Sequence, residues 1–149
     1  MKIVFVCTGN TCRSPLAQAI AQKYVEDKGL DIDVDSAGLS CSYGHEMAEY
    51  SKKIIESMGI FFTHTSQPVT QKMVELTDYF VTMERWQKDA LIQVAPNKTY
   101  CVADFSTEGD VDDPYGQSYQ VYEATADKIA RVMPTIIEGL IKINGSRQN

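Results

Sequence analysis

Four apolar residues in succession, Ile3-Val4-Phe5-Val6, run directly into Cys7-Thr8-Gly9-Asn10-Thr11-Cys12-Arg13-Ser14-Pro15. A continuous apolar, β-branched run of this kind is the pattern of a strand buried on both faces, as in parallel sheets. Thr8 to Thr11 is turn chemistry, and Ser14-Pro15 is a helix start, with Pro tolerated in the first turn. A buried strand that passes through a tight loop into a helix commits the chain to layered α/β architecture.

The alternation continues downstream. Leu16, Ala17, Ile20, Ala21, Tyr24 and Val25 fall at helical spacing, and Gly29 closes that helix. Residues 32–36 read as a strand ending at Ala37-Gly38. Residues 47–58 read as a helix, and Thr70 caps a short helix through Leu76. A strand is predicted over 79–83, a helix over 84–94, a fourth strand over 99–102 and a last helix over 117–143. Pro134 lies inside that last helix, removes a donor and predicts a kink. Four strands alternating with helices, without repeat or linker, predict one α/β domain over residues 1–149 with a parallel sheet. Ligands of such sheets bind beyond the carboxyl ends of the strands, where Cys7 lies.

The composition narrows the function. The 149 residues suit one domain that needs no disulfide or metal staple, and 44% hydrophobic with 23% charged residues excludes disorder. A net charge of −6 argues against nucleic acid or an anionic membrane as partner, but not against a local anion site. No segment has the length of a membrane span or the pattern of a signal peptide, so the cytoplasm is the expected compartment. Of Cys7, Cys12, Cys41 and Cys101, only the first two are close, with no His nearby, so no metal site is expected.

The loop from Cys7 to Ser14 carries the chemistry. Backbone N–H groups of the loop and first helical turn lack intrahelical partners, and the helix dipole adds partial positive charge. That arrangement binds a dianion such as phosphate. Arg13 adds a bidentate fork that Lys cannot match. The same field favours the thiolate of Cys7, which can attack phosphorus and form a phosphocysteine. Ser14 can donate to the thiolate as it leaves. The spacing C-x5-R is weak in isolation, and its place at a strand–loop–helix junction is what gives it meaning. No G-x-x-x-x-G-K-[ST] is present, which excludes a Walker loop.

Transfer of phosphate also needs an acid for the leaving group. Asp113-Pro114-Tyr115-Gly116 is a turn preceded by Asp110 and Asp112. Crowded carboxylates beside a bound dianion favour a protonated acid. A solvated acidic turn is the plainer reading of the same run.

Val6-Cys7-Thr8-Gly9-Asn10-Thr11-Cys12-Arg13-Ser14-Pro15 closely resembles the signature loop of low-molecular-weight protein tyrosine phosphatases. Asp35-Ser36-Ala37-Gly38 is similar to that family's second-strand motif, Asp78-Tyr79 to Met83 to its third strand, and Asp113-Pro114-Tyr115-Gly116 to its general-acid loop. The resemblance implies a four-stranded parallel sheet with helices on both faces, and no metal or organic cofactor. It implies Cys7 as nucleophile, Arg13 as transition-state clamp and Asp113 as general acid and then base. Thr8, Gly9, Asn10, Thr11, Cys12 and Ser14 then surround the phosphate. Asn10, Ser14 and Ser36 resemble the network that holds the loop in shape, and Tyr115 an aromatic wall of the cleft. Cys12 matches a second loop cysteine that forms a reversible disulfide with the nucleophile. The implied partners are phosphorylated proteins, and the implied state is a monomer. Phosphotyrosine is the first expected substrate. Thr11, with His64, Ser66 and Pro68, also looks like a bacterial branch that includes protein arginine phosphatases, so phosphoarginine is the alternative. His64 is given no catalytic role, and residues 40–50 match family patterns poorly.

Two rival readings remain. Thioredoxin-coupled arsenate reductases share a similar loop but need two further redox cysteines close together, and here only Cys41 and Cys101 are left, sixty positions apart. A non-catalytic phosphoprotein-binding module predicts loss of the nucleophile or acid, yet Cys7, Arg13 and Asp113 are all present.

Overall fold

The computed structural model describes residues 1–148. Strands β1 (Lys2–Cys7), β2 (Asp33–Gly38), β3 (Tyr79–Thr82) and β4 (Thr99–Cys101) alternate with helices α1 (Arg13–Asp27), α2 (Glu49–Ser57), α3 (Gln71–Leu76), α4 (Arg85–Leu91) and α5 (Tyr119–Gln148). A single 3-10 turn, Val102–Asp104, follows β4. The four strands form one sheet in the order β2-β1-β3-β4, with every pair parallel.

The period of two along β1 divides the core. Ile3, Phe5 and Cys7 face one side and pack with Leu16, Ala17 and Ile20 of α1, Ile54 and Ile55 of α2, and Ile129, Met133, Ile136 and Ile137 of α5. Val4 and Val6 face the other side, against Val74 of α3, Leu91 of α4 and Ala95. Helices therefore cover both faces, which is why β1 reads as an unbroken apolar run.

Helix α5 contains Pro134 as expected but differs in its bounds. It starts two residues late, at Tyr119, and runs on to Gln148 through Pro134 without a break. An interior proline costs about 3 kcal/mol. Burying one large aliphatic side chain returns roughly 1.5–3 kcal/mol, and Val132, Met133, Ile136 and Ile137 flank the proline in the core. Packing wins. Other bounds shift by a few residues: β2 begins at Asp33, α2 is shorter at both ends, and Glu84 precedes α4 rather than opening it.

The sheet order places a topological switch between β1 and β3. From β1 the chain winds to β2 on one side, then crosses over to β3 and β4 on the other. A crevice opens at the carboxyl ends of the strands at such a point. Cys7 ends β1 there, in register with Gly38, while Met83 and Glu84 follow β3. No helix among the described residues is long and apolar enough to cross a membrane.

Candidate active site

The loop after β1 closes on itself around Asn10, whose φ of 56° is left-handed and whose side chain is wholly buried. Asn tolerates that conformation better than most residues and here is repaid in hydrogen bonds. Its Nδ2 donates to Ser14 Oγ at 2.7 Å and to Ser36 Oγ at 3.0 Å, and its Oδ1 accepts from the Gln67 backbone N–H at 3.0 Å. Ser36 Oγ donates onward to Gln18 Oε1 at 2.6 Å. His64 Nε2 lies 2.8 Å from the Asn10 carbonyl, so that nitrogen carries the proton, and burial pushes the His64 imidazole below its usual value of 6.5. Gln87, fully buried, donates from Nε2 to Thr8 Oγ1 at 3.1 Å. Gly38 lets the next strand press against the loop: a Cβ there would lie 2.8 Å from the Thr8 carbonyl and 2.6 Å from Cys41 Sγ.

Cys7 Sγ points into this loop, 3.0 Å from Ser14 Oγ. Ser14 already accepts from Asn10, so its own proton is free to turn toward sulfur or toward the Ala37 carbonyl 3.5 Å away. Helix α1 starts at Arg13 with no side chain capping its first N–H groups. Donors left uncapped at a helix N-terminus are what an anion site requires. The Arg13 guanidinium is buried, and its Nε has no partner among the described residues. A buried charged donor left unpaired is costly, and an anion in the loop would pair it.

Cys7, Thr8, Gly9, Thr11, Cys12, Arg13, Asp113 and Tyr115 line one cavity of about 220 Å³. Six of these come from one short stretch of sequence; Asp113 and Tyr115 arrive from a hundred residues away. Asp113 Oδ2 lies 3.9 Å from Arg13 Nη2, and Oδ1 accepts from the Tyr115 backbone N–H at 3.1 Å. Of the other two acidic candidates, Asp110 accepts from the Arg85 backbone N–H, and neither Asp110 nor Asp112 lines this cavity. A larger groove of about 490 Å³ between Asp104 and Arg131 shares no residue with the cavity and holds no cysteine.

The comparisons with known proteins agree with this geometry. The family model for low molecular weight phosphotyrosine protein phosphatases matches residues 2–144. The chain belongs to that family. Within it, the chain is 31% identical to the protein-arginine-phosphatase of Bacillus subtilis over 147 residues, covering 95% of this chain and 98% of the relative. It is also 31% identical to the low molecular weight protein-tyrosine-phosphatase PtpB of Staphylococcus aureus, over 89% of this chain and 94% of that one. Among solved structures, the YwlE arginine phosphatase as a cysteine-to-serine mutant with a phosphorylated active-site serine matches with a TM-score of 0.89 at 31% identity, covering 95% of this chain and 97% of that one. The tyrosine phosphatase of T. tengcongensis matches with a TM-score of 0.87 at 30% identity, covering 93% and 99%.

Family membership and the fold bear on the arsenate reductase rival. Cys41 follows β2 and Cys101 ends β4, at opposite edges of the sheet, and all four cysteines are free. No relay between Cys41 and Cys101 is built. Sequence reasoning missed Gln18, Gln67, Glu84 and Gln87 at this low molecular weight phosphatase site, and it gave His64 no part in it. Each is a single polar residue in an unremarkable stretch, made important only by what the fold sets beside it.

Proposed function

We propose that this phosphatase hydrolyses phosphotyrosine in proteins through a phosphocysteine on Cys7. The observation that carries the reading is the single cavity in which Cys7, Arg13 and Asp113 meet at the N-terminus of α1. The Cys7 thiolate attacks phosphorus from beneath while Asp113 gives its proton to the departing phenolic oxygen. Loop N–H groups, with Nε and Nη2 of Arg13, hold the equatorial oxygens as charge spreads over them. Asp113, now a carboxylate, takes a proton from water, which attacks phosphorus and expels the thiolate. Ser14 donates to the sulfur as it leaves, and inorganic phosphate is released. The test is Cys7→Ser, expected to abolish turnover of p-nitrophenyl phosphate while inorganic phosphate still binds. Retention of even a few per cent of activity would sink the mechanism.

Phosphoarginine is the second reading. Thr11 lines the cavity, and a small polar residue there can accept from the guanidinium N–H of phosphoarginine. The relatives named as protein-arginine-phosphatases, from Bacillus subtilis and Geobacillus stearothermophilus, favour it too. Steady-state kinetics on the two phosphorylated side chains decide between them.

Cys12 lines the same cavity and is the proposed resolving thiol. Peroxide converts the Cys7 thiolate to a sulfenic acid, and Cys12 sulfur then displaces water to form the disulfide. Recovery from peroxide with dithiothreitol should be lost in Cys12→Ser; equal recovery in that variant and the native protein would discard the role. Four free cysteines, the nucleophile among them, suit a reducing compartment, and we place the protein in the cytoplasm as a monomer acting on phosphoproteins rather than nucleic acid.

A further inference from the structure

Arg13 spends its three nitrogens unequally. Nη1 makes two contacts, donating to Glu84 Oε1 at 2.5 Å and to the Val111 carbonyl at 2.8 Å. Among the described residues Nε is buried without a partner, and the carboxylate Oδ2 of Asp113 lies 3.9 Å from Nη2. The Nε and Nη2 protons are parallel along one edge of the planar guanidinium and match two oxygens of a phosphate. Fixing Nη1 at the far corner determines which edge faces the anion.

Glu84 is itself held firmly. Its backbone N–H donates to Gln87 Oε1 at 2.9 Å, and its second carboxylate oxygen accepts from the Trp86 indole N–H. It follows Met83, whose N–H bonds to Val6 at 3.1 Å and whose carbonyl accepts from Val111 at 2.9 Å. Both acceptors of Nη1 are thus stitched to the end of β3. The side chains of Arg13 and Glu84 are only 3% and 17% exposed. Two buried charges lose much of their attraction to desolvation, so such a pair is poor evidence for a stability device.

Two carboxylates compete for this guanidinium. Glu84 lies within hydrogen-bond distance, whereas 3.9 Å to Asp113 is beyond it. We propose that Glu84 is a positioning residue: it holds Nη1 so that Nε and Nη2 face the phosphate, and it keeps Arg13 from pairing with Asp113. This second half rests on the reading of Asp113 as the general acid. An acid paired with a cation gives up its proton too early to serve the leaving group.

The groups facing Asp113 are Arg13 from α1, Cys7 and Cys12 from the loop, Asp112 and Tyr115 on its own loop, and Tyr122 and Lys128 on α5. Substituting Glu84 alters none of them chemically; it frees Arg13 to swing about the Val111 contact. In Glu84→Ala, affinity for inorganic phosphate by calorimetry should fall by about 10–100-fold, since misplacement by about 1 Å can cost 10²-fold. The alkaline limb of kcat/KM against pH, read on a phosphotyrosine peptide, should move to lower pH because the acid ionises earlier. Glu84→Gln keeps the shape and one acceptor oxygen but not the charge, so it should fall between, and it carries the test if the alanine variant does not fold. A folded variant that binds phosphate as tightly as the native protein, or loses activity equally at every pH with the limb unmoved, would overturn the proposal. Should the native protein show no turnover, the functional reading fails on its own, and the phosphate titration still decides whether Glu84 orients Arg13.

Discussion

The cavity is built from two loops that could hardly differ more. The loop of residues 7–13 is largely buried, with Cys7, Asn10 and Arg13 at 2% exposure or less, and the side chains of Thr8, Asn10 and Arg13 are bonded to residues far along the chain. The loop that brings Asp113 is open: the Asp113 side chain is 52% exposed and Tyr115 is 77% exposed. Its carboxylate bonds only within its own turn. A cradle for a transferring phosphoryl group works by pre-arranged donors that need not reorganise during reaction, which requires rigidity. An acid that must protonate a leaving group, let it depart and then meet water needs access instead. The two loops divide these demands between them.

This contrast can be broken by mutation. The largest effect expected is on rate alone, in the open loop. Asp113→Asn should cost about 10²–10⁴-fold on phosphotyrosine and far less on p-nitrophenyl phosphate, whose leaving group needs little protonation. Its melting temperature should stay close to that of the native protein, because an exposed substitution usually changes stability by no more than about 0.5 kcal/mol. A large drop in melting temperature would show that the open loop is structural after all. If Asp112→Asn reproduced the leaving-group pattern and Asp113→Asn did not, the acid would be the neighbour.

Thr11→Ile sharpens the contrast on the buried side. An aliphatic branch fills the space and leaves the phosphoarginine N–H unpaired, which costs roughly 1–3 kcal/mol. Activity on phosphoarginine should fall by about one to two orders of magnitude, with phosphotyrosine spared. Equal losses on both substrates would mean that Thr11 shapes the loop and selects nothing.

Asn10→Ala should act on stability as well as rate. It removes three hydrogen bonds from a buried network and places alanine at a left-handed φ, together about 2–4 kcal/mol. At this size that is roughly 4–16 °C in melting temperature, readable by calorimetry. An unchanged melting temperature would show that the loop holds its shape without Asn10.

The smallest effect is the pH response of His64. Burial lowers its folded-state value, while in the unfolded chain it returns to about 6.5. The unfolded state therefore binds the proton more readily. Stability from this group is complete above about 6.5 and is lost as pH falls toward the folded value. Thermal melts between about pH 7 and 5 should fall less steeply in His64→Asn than in the native protein. Parallel curves would remove His64 from the support of the loop.

Much of this design is local, and local features are legible. At the strand–loop–helix junction, Cys7, Arg13, Ser14 and the candidate helix-terminal anion site all lie within nine positions, and short-range chemistry fixes their relation. The split of β1 residues between two faces follows from the period of two alone. Short-range rules placed Pro134 inside the last helix but did not show what holds that helix together there, because a local cost of a few kcal/mol is set against burial that only the packed molecule supplies. The nine residues could not say which distant side chains complete the site. Glu84 and Gln87 sit at the switch point because β3 neighbours β1, and Gln67 reaches Asn10 because residue 68 bridges Gly38 beside the loop. Spacing alone left the candidate acid open among three aspartates and the family resemblance named Asp113; in the fold Asp113 lines the cavity, while Asp110 turns toward Arg85. The sequence by itself determined the layered fold, the candidate nucleophile and the candidate anion cradle, since each depends on residues a few bonds apart. Which groups stand opposite them was decided by strand order, because contacts between distant segments exist only once the sheet has formed.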